Sequence, residues 1–224
     1  MGRMRLILIR HGESVGNVDE SAFCLIPDHA MDLTDVGVQQ AKDAGARLRE
    51  LLGPQPVDVF VSPYRRTWQT LEHLALGSRI RRVREEPRLR EQDWGNLQDL
   101  ASQQRQKRER NAFGHFFYRL DSGESGADVY DRLTGFLTGL TSPWADDAGE
   151  QDRTVLLVTH GLAMRLACMA LMGWTVSEFE ALSNPVNGDF RVLTRLDTNG
   201  SSTGGGLLGL GPAWVLDRPF DTWK

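Results

Sequence analysis

Two aliphatic runs, each ending in a His-Gly dipeptide, constrain this chain more than any other feature: Leu6-Ile7-Leu8-Ile9-Arg10-His11-Gly12 and Val155-Leu156-Leu157-Val158-Thr159-His160-Gly161. Short unbroken apolar runs read as strands covered on both faces, the pattern of parallel sheets. Two such strands in one parallel sheet share a carboxyl edge, where open α/β sheets bind ligands, and the two imidazoles can then face each other across the crevice. Arg10 before His11 and Gly12 after it combine a basic residue, a nucleophilic imidazole and a flexible backbone. That combination points to phosphate handled through a histidine.

The rest of the chain alternates strand and helix. Arg3 to Ile9 reads as a buried strand, and Asp35 to Leu52 as a helix capped by Thr34 with Ala41, Ala44, Gly45, Leu48 and Leu52 on one face. Val57 to Val61 is the next strand, Pro63 opens a helix, and Ile80 to Arg84 is a third strand whose alternating arginines suit a sheet edge. A charged helical stretch runs from Leu97 to Leu120. Ser125 and Asp128 form a capping-box-like start to a helix over Ala127 to Leu140. Pro143 to Asp152 is a polar loop, Leu162 to Met172 an apolar helix and Arg191 to Leu196 a late strand. This rhythm predicts a three-layer α/β/α sandwich with a mostly parallel central sheet and right-handed crossovers.

At 224 residues the chain fits one domain over 1–224, with a helical lid insertion at 97–120 and a Gly/Ser-rich loop at 198–212. A formal charge of −4 argues against general binding to nucleic acid or a membrane surface, so the charge that matters is local. Cys24 and Cys168 are the only cysteines, which gives no disulfide framework and fits free thiols in a reducing compartment. No apolar stretch reaches membrane-spanning length, and the Leu6 to Ile9 run lacks a signal-peptide core, so a cytoplasmic location is expected.

The opening Arg10-His11-Gly12-Glu13-Ser14 resembles the signature of the histidine phosphatase superfamily, the group of cofactor-dependent phosphoglycerate mutases and many phosphatases. The resemblance continues in family order through Asn17, Leu33-Thr34-Asp35-Val36-Gly37 with Gln40-Ala41, and Ser62-Pro63-Tyr64-Arg65-Arg66-Thr67 with Gln69-Thr70. It then takes in Leu89-Arg90-Glu91-Gln92-Asp93-Trp94-Gly95, Gly123-Glu124-Ser125 and Thr159-His160-Gly161. Further segments, Ile26-Pro27-Asp28-His29, Phe116-Phe117-Tyr118-Arg119 and Asn184-Pro185-Val186-Asn187, look like a branch of phosphoglycerate mutase-like proteins of plants, fungi and bacteria.

The resemblance implies a phosphatase that forms a phosphohistidine on His11, with Glu91 giving a proton to the leaving group and later taking one from water. A phosphomonoester dianion needs cations around its equatorial oxygens in the transition state. Arg10, Arg66 and His160, each just past a different strand end, can supply them, and Asn17 adds a neutral donor. Counting four residues from Ser62, as the family pattern does, selects Arg66; Arg65 reads as a solvated helix residue. The His11 ring must be neutral at its attacking nitrogen, with the other nitrogen donating to a nearby carbonyl. No Asp-rich cluster or metal-ligand spacing accompanies these groups, so the expected site is metal-independent and needs no cofactor. Ser14 is either a loop hydrogen bond or a minor phosphate contact; Tyr118 and Gly161 are further candidates for touching substrate.

Other features stay open at this level. Arg105, Lys107, Arg108 and Arg110 with Glu109 form either a solvated helix face or a substrate clamp. His115, Phe116, Phe117 and Tyr118 either line a lid or pack on the core. Gly204 to Gly209 matches a dinucleotide-binding glycine pattern but lacks the preceding strand and is read as a surface loop. The Asn187 region resembles a superfamily asparagine before a late strand, but Gly188-Asp189 departs from the family's small hydroxyl residues, which leaves Asn187 without an assigned role. The expected partner is a small phosphorylated metabolite, with no nucleic acid or membrane; a homodimer is compatible. A bisphosphoglycerate-dependent mutase and a non-catalytic phospho-ligand binding protein are the alternative readings.

Overall fold

The computed structural model describes residues 4–96, 99–141, 152–195 and 214–223. Its centre is a six-stranded sheet: β1 (Met4–Arg10), β2 (Val57–Val61), β3 (Ile80–Glu85), β4 (Arg153–Thr159), β5 (Phe190–Arg195) and β6 (Trp214–Leu216), in the order β3-β2-β4-β1-β5-β6. The first four in that order run parallel, whereas β5 is antiparallel to β1 and to β6. The helices are α1 (Val15–Val18), α2 (Asp35–Leu52), α3 (Arg65–His73), α4 (Leu100–Phe113), α5 (Gly126–Thr141), α6 (Gly161–Met172) and α7 (Val176–Ala181), with single 3₁₀ turns between several of them.

The aliphatic runs are continuous because both faces of the sheet are covered. Side chains alternate across a strand, so Leu6 and Leu8 join the side packed by α5 and α6, whereas Ile7 and Ile9 join the side packed by α2 and α3. Every residue of β2 is buried, including Asp58. Burial alone would raise the Asp58 carboxyl, but hydrogen bonds from Arg81 and Arg82 on β3 outweigh it and hold the group below its ordinary range. The arginines of the edge strand thus neutralise a carboxylate one strand in.

Several boundaries differ from the sequence reading. The charged stretch from 97 to 120 is helical only over Leu100–Phe113; Gly114 at φ 112° ends it, and residues 97–98 lie outside the described part. No apolar stripe docks α4: its buried residues are Gln103 and Gln106, and Gln106 accepts the Asp121 amide at 2.7 Å. The helix expected from Pro63 begins at Arg65, after Tyr64. The polar loop over 143–151 and the glycine-rich segment over 198–212 fall on residues outside the described part. Ser125 and Asp128 do form the reciprocal cap of α5, at 2.7 and 3.2 Å.

The first turn of α2 clasps the loop after β1. Thr34 N donates to Glu13 O at 2.9 Å, Thr34 Oγ1 donates to the Glu13 carboxylate at 2.7 Å and accepts from Gly37 N at 3.1 Å, and Glu13 N donates to Gln40 Oε1 at 2.8 Å. Two glycines allow this approach: a Cβ on Gly37 would lie 2.0 Å from Glu13 O, and one on Gly12 would lie 2.3 Å from Gly37 O. Both obstacles are backbone atoms that cannot swing aside. Gly37→Ala should therefore destabilise the fold by about 1–3 kcal/mol, the usual range for overpacking, seen as a lower urea midpoint at unchanged slope; an unchanged midpoint would mean that the two backbones are not locked together.

Candidate active site

Parallel pairing sets Arg10 of β1 opposite Thr159 of β4, so His11 and His160 leave the sheet side by side at its carboxyl edge. His11 N donates to Thr159 O at 3.0 Å, and the two rings meet edge to face with centroids 5.2 Å apart. β2 delivers Ser62 to the same edge, and Ser62 N donates to Val158 O at 3.0 Å. From there Tyr64 and the first turn of α3 carry Arg66 over the histidines.

The tautomer of His11 follows from its two contacts. Nδ1 lies 2.6 Å from Gly12 O, a distance that places the proton on Nδ1. Nε2 accepts from Arg66 Nε at 3.2 Å, so its lone pair faces the guanidinium. Burial, then the charges of Arg66 and Arg10, hold the imidazole well below its ordinary pKa despite the Gly12 carbonyl. The ring is a neutral base aimed at a cation.

His160 is fully buried, with Nε2 2.8 Å from Ser62 Oγ and Nδ1 without a partner among the described residues. Burial first, then Arg66, depresses its pKa as well. Arg66 is buried, donates through Nη1 to the Asp28 carbonyl and carboxylate at 2.7 and 2.8 Å, and lies over the Tyr64 ring. Arg10 donates to Pro185 O at 2.6 Å, leaves Nε unpartnered, and is depressed by burial against the opposing pull of Glu91.

Glu91 follows β3 through a 3₁₀ turn at Pro87–Leu89, and its side chain accepts from the amide of Gln92 at 3.0 Å. Its backbone is held from behind. Arg132 on α5 donates to the carbonyls of Arg88, Arg90 and Glu91 at 2.6, 2.8 and 3.0 Å and to both oxygens of Glu124 at 3.0 and 2.9 Å. Glu124 also accepts from Arg90 and from the Asp93 amide. Arg132, which no sequence motif marked, therefore fixes the loop that carries Glu91, and both Glu124 oxygens are already engaged.

The remaining sequence candidates divide. Asn17 sits at the rim of the His11 loop, where its Oδ1 accepts from Ser14 N and Oγ and from Asn187 Nδ2. Ser14 is buried and spent on capping α1. Gly161 opens α6, where a Cβ would press on the Asn184 side chain at 2.9 Å. Arg65 is exposed and pairs with Asp32 at 2.7 Å. Tyr118 donates to Glu109 at 2.6 Å and packs on Phe113, so its contacts lie on α4 and not among the residues around His11. Phe116 enters the core while Phe113 and Phe117 stay exposed.

Asn187, left unassigned by the sequence, does reach the site. Its Nδ2 donates to His11 O and to Asn17 Oδ1, both at 3.1 Å, and Gly188 N donates to His11 O at 3.1 Å. It arrives there because β5 runs antiparallel, so its entry loop lies at the carboxyl edge of β1. Beside Tyr64 and Arg90 a cleft of about 510 Å³ continues outward along Ile26, Pro27, Asp28, His29 and Asp93.

A family model described as histidine phosphatase superfamily (branch 1) matches residues 6–202. The chain belongs to the histidine phosphatase superfamily. It is 43% identical to Phosphoglycerate mutase-like protein AT74 of Arabidopsis thaliana over 84% of this chain and 64% of that protein, so it spans less than two thirds of that relative. It is 29% identical to the Broad-range acid phosphatase DET1 of Saccharomyces cerevisiae over 84% of each. Its fold matches the solved mycobacterial glucosyl-3-phosphoglycerate phosphatase at a TM-score of 0.72 and 26% identity, covering 98% of this chain and 100% of that one; that protein is also solved with VO3 and with inorganic phosphate. This histidine phosphatase superfamily member thus keeps the three-layer α/β sandwich of its structural relatives.

Burying two neutral histidines couples stability to pH. The unfolded chain takes up protons at about pH 6.5 and the folded site resists them, so stability is full above that pH and falls as pH drops below it. The urea midpoint of the wild type should decline on acidification below 6.5, and His160→Asn should flatten that decline. An equal slope in the variant would mean that His160 is not held neutral.

Proposed function

We propose that this protein is a phosphomonoesterase that hydrolyses a small phosphorylated metabolite through a phosphohistidine on His11. The observation that carries the reading is the His11 tautomer: Nδ1–H is committed to the Gly12 carbonyl, which leaves the Nε2 lone pair as the buried nucleophile. Relatives named as phosphatases, and one solved with phosphate, support it.

In the proposed reaction a phosphate group enters between Arg66 and Arg10, and the guanidinium now on Nε2 turns to a phosphate oxygen. The His160 Nδ1 and the exposed face of Asn17 complete the ring of contacts, and the N-terminus of α6 behind His160 adds its dipole. Nε2 attacks phosphorus as the bond to the ester oxygen breaks, and Glu91 gives that oxygen its proton. Water then attacks the phosphohistidine, Glu91 takes the water's proton, and the N–P electron pair returns to Nε2. Fixed guanidinium groups carry the charge stabilisation, so no metal enters the steps.

Two measurements test this. His11→Ala should abolish both phosphate release and the acid-labile, base-stable phosphoprotein trapped by rapid quench, while EDTA should leave the wild-type rate unchanged; a normal level of that phosphoprotein in the variant would remove His11 as nucleophile. Glu91→Gln should slow alkyl phosphates by roughly a hundredfold or more, because it cannot protonate a poor leaving group. Aryl phosphates should lose less in the first step and show a burst, since the phosphoenzyme then accumulates. Equal slowing of both first steps would assign the proton to another group.

A further inference from the structure

The Gly188-Asp189 pair, which departs from the family pattern, lies in a loop that grips the residues around the nucleophile. Gly188 N and Asn187 Nδ2 both donate to His11 O at 3.1 Å, Arg10 N donates to Asp189 O at 3.0 Å, and Arg10 Nη1 donates to Pro185 O at 2.6 Å. The last of these fixes the Arg10 guanidinium itself. The loop closes through Asp189 N, which donates to Val186 O at 3.1 Å, and it presses on α2 at Gly188, where φ is 72° and a Cβ would lie 2.9 Å from the Gln40 Cβ.

The buried Asp189 carboxylate gathers arginines from three parts of the chain. Arg191 Nη1 of β5 donates to Oδ2 at 2.5 Å, Arg218, just beyond β6, donates to Oδ1, and Arg47 of α2 stands 3.8 Å from Oδ1 while its Nη2 donates to Gly188 O at 3.4 Å. Arg218 also donates to Phe190 O at 2.8 Å, and Arg47 lies over the Phe190 ring. Burial would raise the Asp189 carboxyl, but the hydrogen bonds from Arg218 and Arg191 outweigh it and keep the group below its ordinary range. Arg191 is two residues away in the chain and pairs locally, whereas Arg47 and Arg218 tie the loop to α2 and to the segment after β6. Charge-assisted bonds are the strong ones, and here they fall on the residue whose own carbonyl receives the Arg10 amide.

We propose that Asp189 is a positioning residue for the reaction: anchored by Arg47, Arg191 and Arg218, it holds the loop over 185–189 where that loop fixes the His11 backbone and the Arg10 guanidinium for in-line attack on phosphate. The inference rests on the phosphatase reading above and adds a residue that touches no substrate. Phosphate binding is shared among Arg10, Arg66, His160 and Asn17, whereas attack depends on the alignment of one nitrogen. Loosening the loop therefore costs rate more than affinity.

The test compares the wild type with Asp189→Asn, which keeps size and removes the charge that draws in the arginines. With 4-nitrophenyl phosphate, kcat should fall by about tenfold or more while KM stays within about threefold. Amide hydrogen exchange, read residue by residue by NMR, gives the second measurement. The Arg10 and Gly188 amides should exchange about tenfold faster or more, beyond any change at His11 and Ser62, whose amides donate to β4 and report the stability of the sheet. Should Asp189→Asn not fold, the double variant Arg47→Gln/Arg218→Gln, at two exposed positions, should show the same split with a loss of about threefold or more in kcat. Unchanged exchange at Arg10 and Gly188, unchanged kcat in folded protein, or a loss confined to KM would overturn the proposal. Absence of turnover by the wild type counts against the phosphatase reading, and the exchange measurement then decides alone whether Asp189 anchors the loop.

Discussion

The parallel register between β1 and β4 is the constraint on which the rest of this structure depends. Pairing Arg10 with Thr159 puts His11 and His160 on one edge, and a slip of one residue would send the alternating side chains of the strand to the wrong faces. Burial on both faces fixes that register. Leu6 and Leu8 belong to one core and Ile7 and Ile9 to the other, so neither set can change places without leaving the packing it was selected for. The site inherits its accuracy from the two cores.

A second layer of hydrogen bonds then converts a sheet edge into a shaped site. Gly12 N donates to Thr70 Oγ1 at 3.0 Å, Leu33 N donates to Gln69 Oε1 at 2.8 Å, and Thr34 and Gln40 bind both sides of Glu13. The motif residues around Thr34 and Gln69 touch no reacting group; they hold the backbone against which the His11 ring is braced. On the opposite wall Arg132 and Glu124 do the same for the loop of Glu91, and Thr159 Oγ1 ties Leu89 O to the sheet at 2.7 Å.

What was legible in the sequence follows from what leaves a periodic trace. The buried strands, the apolar face of α2 and the cap at Ser125 are local patterns, and each appears where the pattern placed it. Arg10, His11, Arg66 and His160 converge because their motifs sit at strand ends, and strand ends are positions that a sequence reveals. Asn187 was left without a role because Gly188-Asp189 after it departs from the family pattern, and a late strand in a mostly parallel sheet gives no sign of its direction, whereas the antiparallel β5 brings that entry loop to the active edge. Arg132 was lost for a different reason. On α5 it is one polar residue on a helix whose apolar stripe explains the fold, and its five bonds go to backbone and to a carboxylate brought near only by tertiary structure. The reach of α4 was overestimated because charge alone does not dock a helix, and Gly114 ends it.

Charge distribution separates scaffold from site more sharply than burial does. Asp58 is matched by Arg81 and Arg82, Asp189 by Arg191 and Arg218, and Glu124 by Arg90 and Arg132; each is a carboxylate saturated by the arginines around it. Around His11 and His160 no such matching is made: burial first, and the charges of Arg66 and Arg10 with it, hold both imidazoles well below their ordinary pKa. A chain of net charge −4 thus places the guanidinium groups of Arg10 and Arg66 beside two buried imidazoles that resist protonation. Keeping buried guanidinium groups from water is costly, and under the proposed function a phosphate at this edge would offset part of the free energy that folding spends on desolvating them.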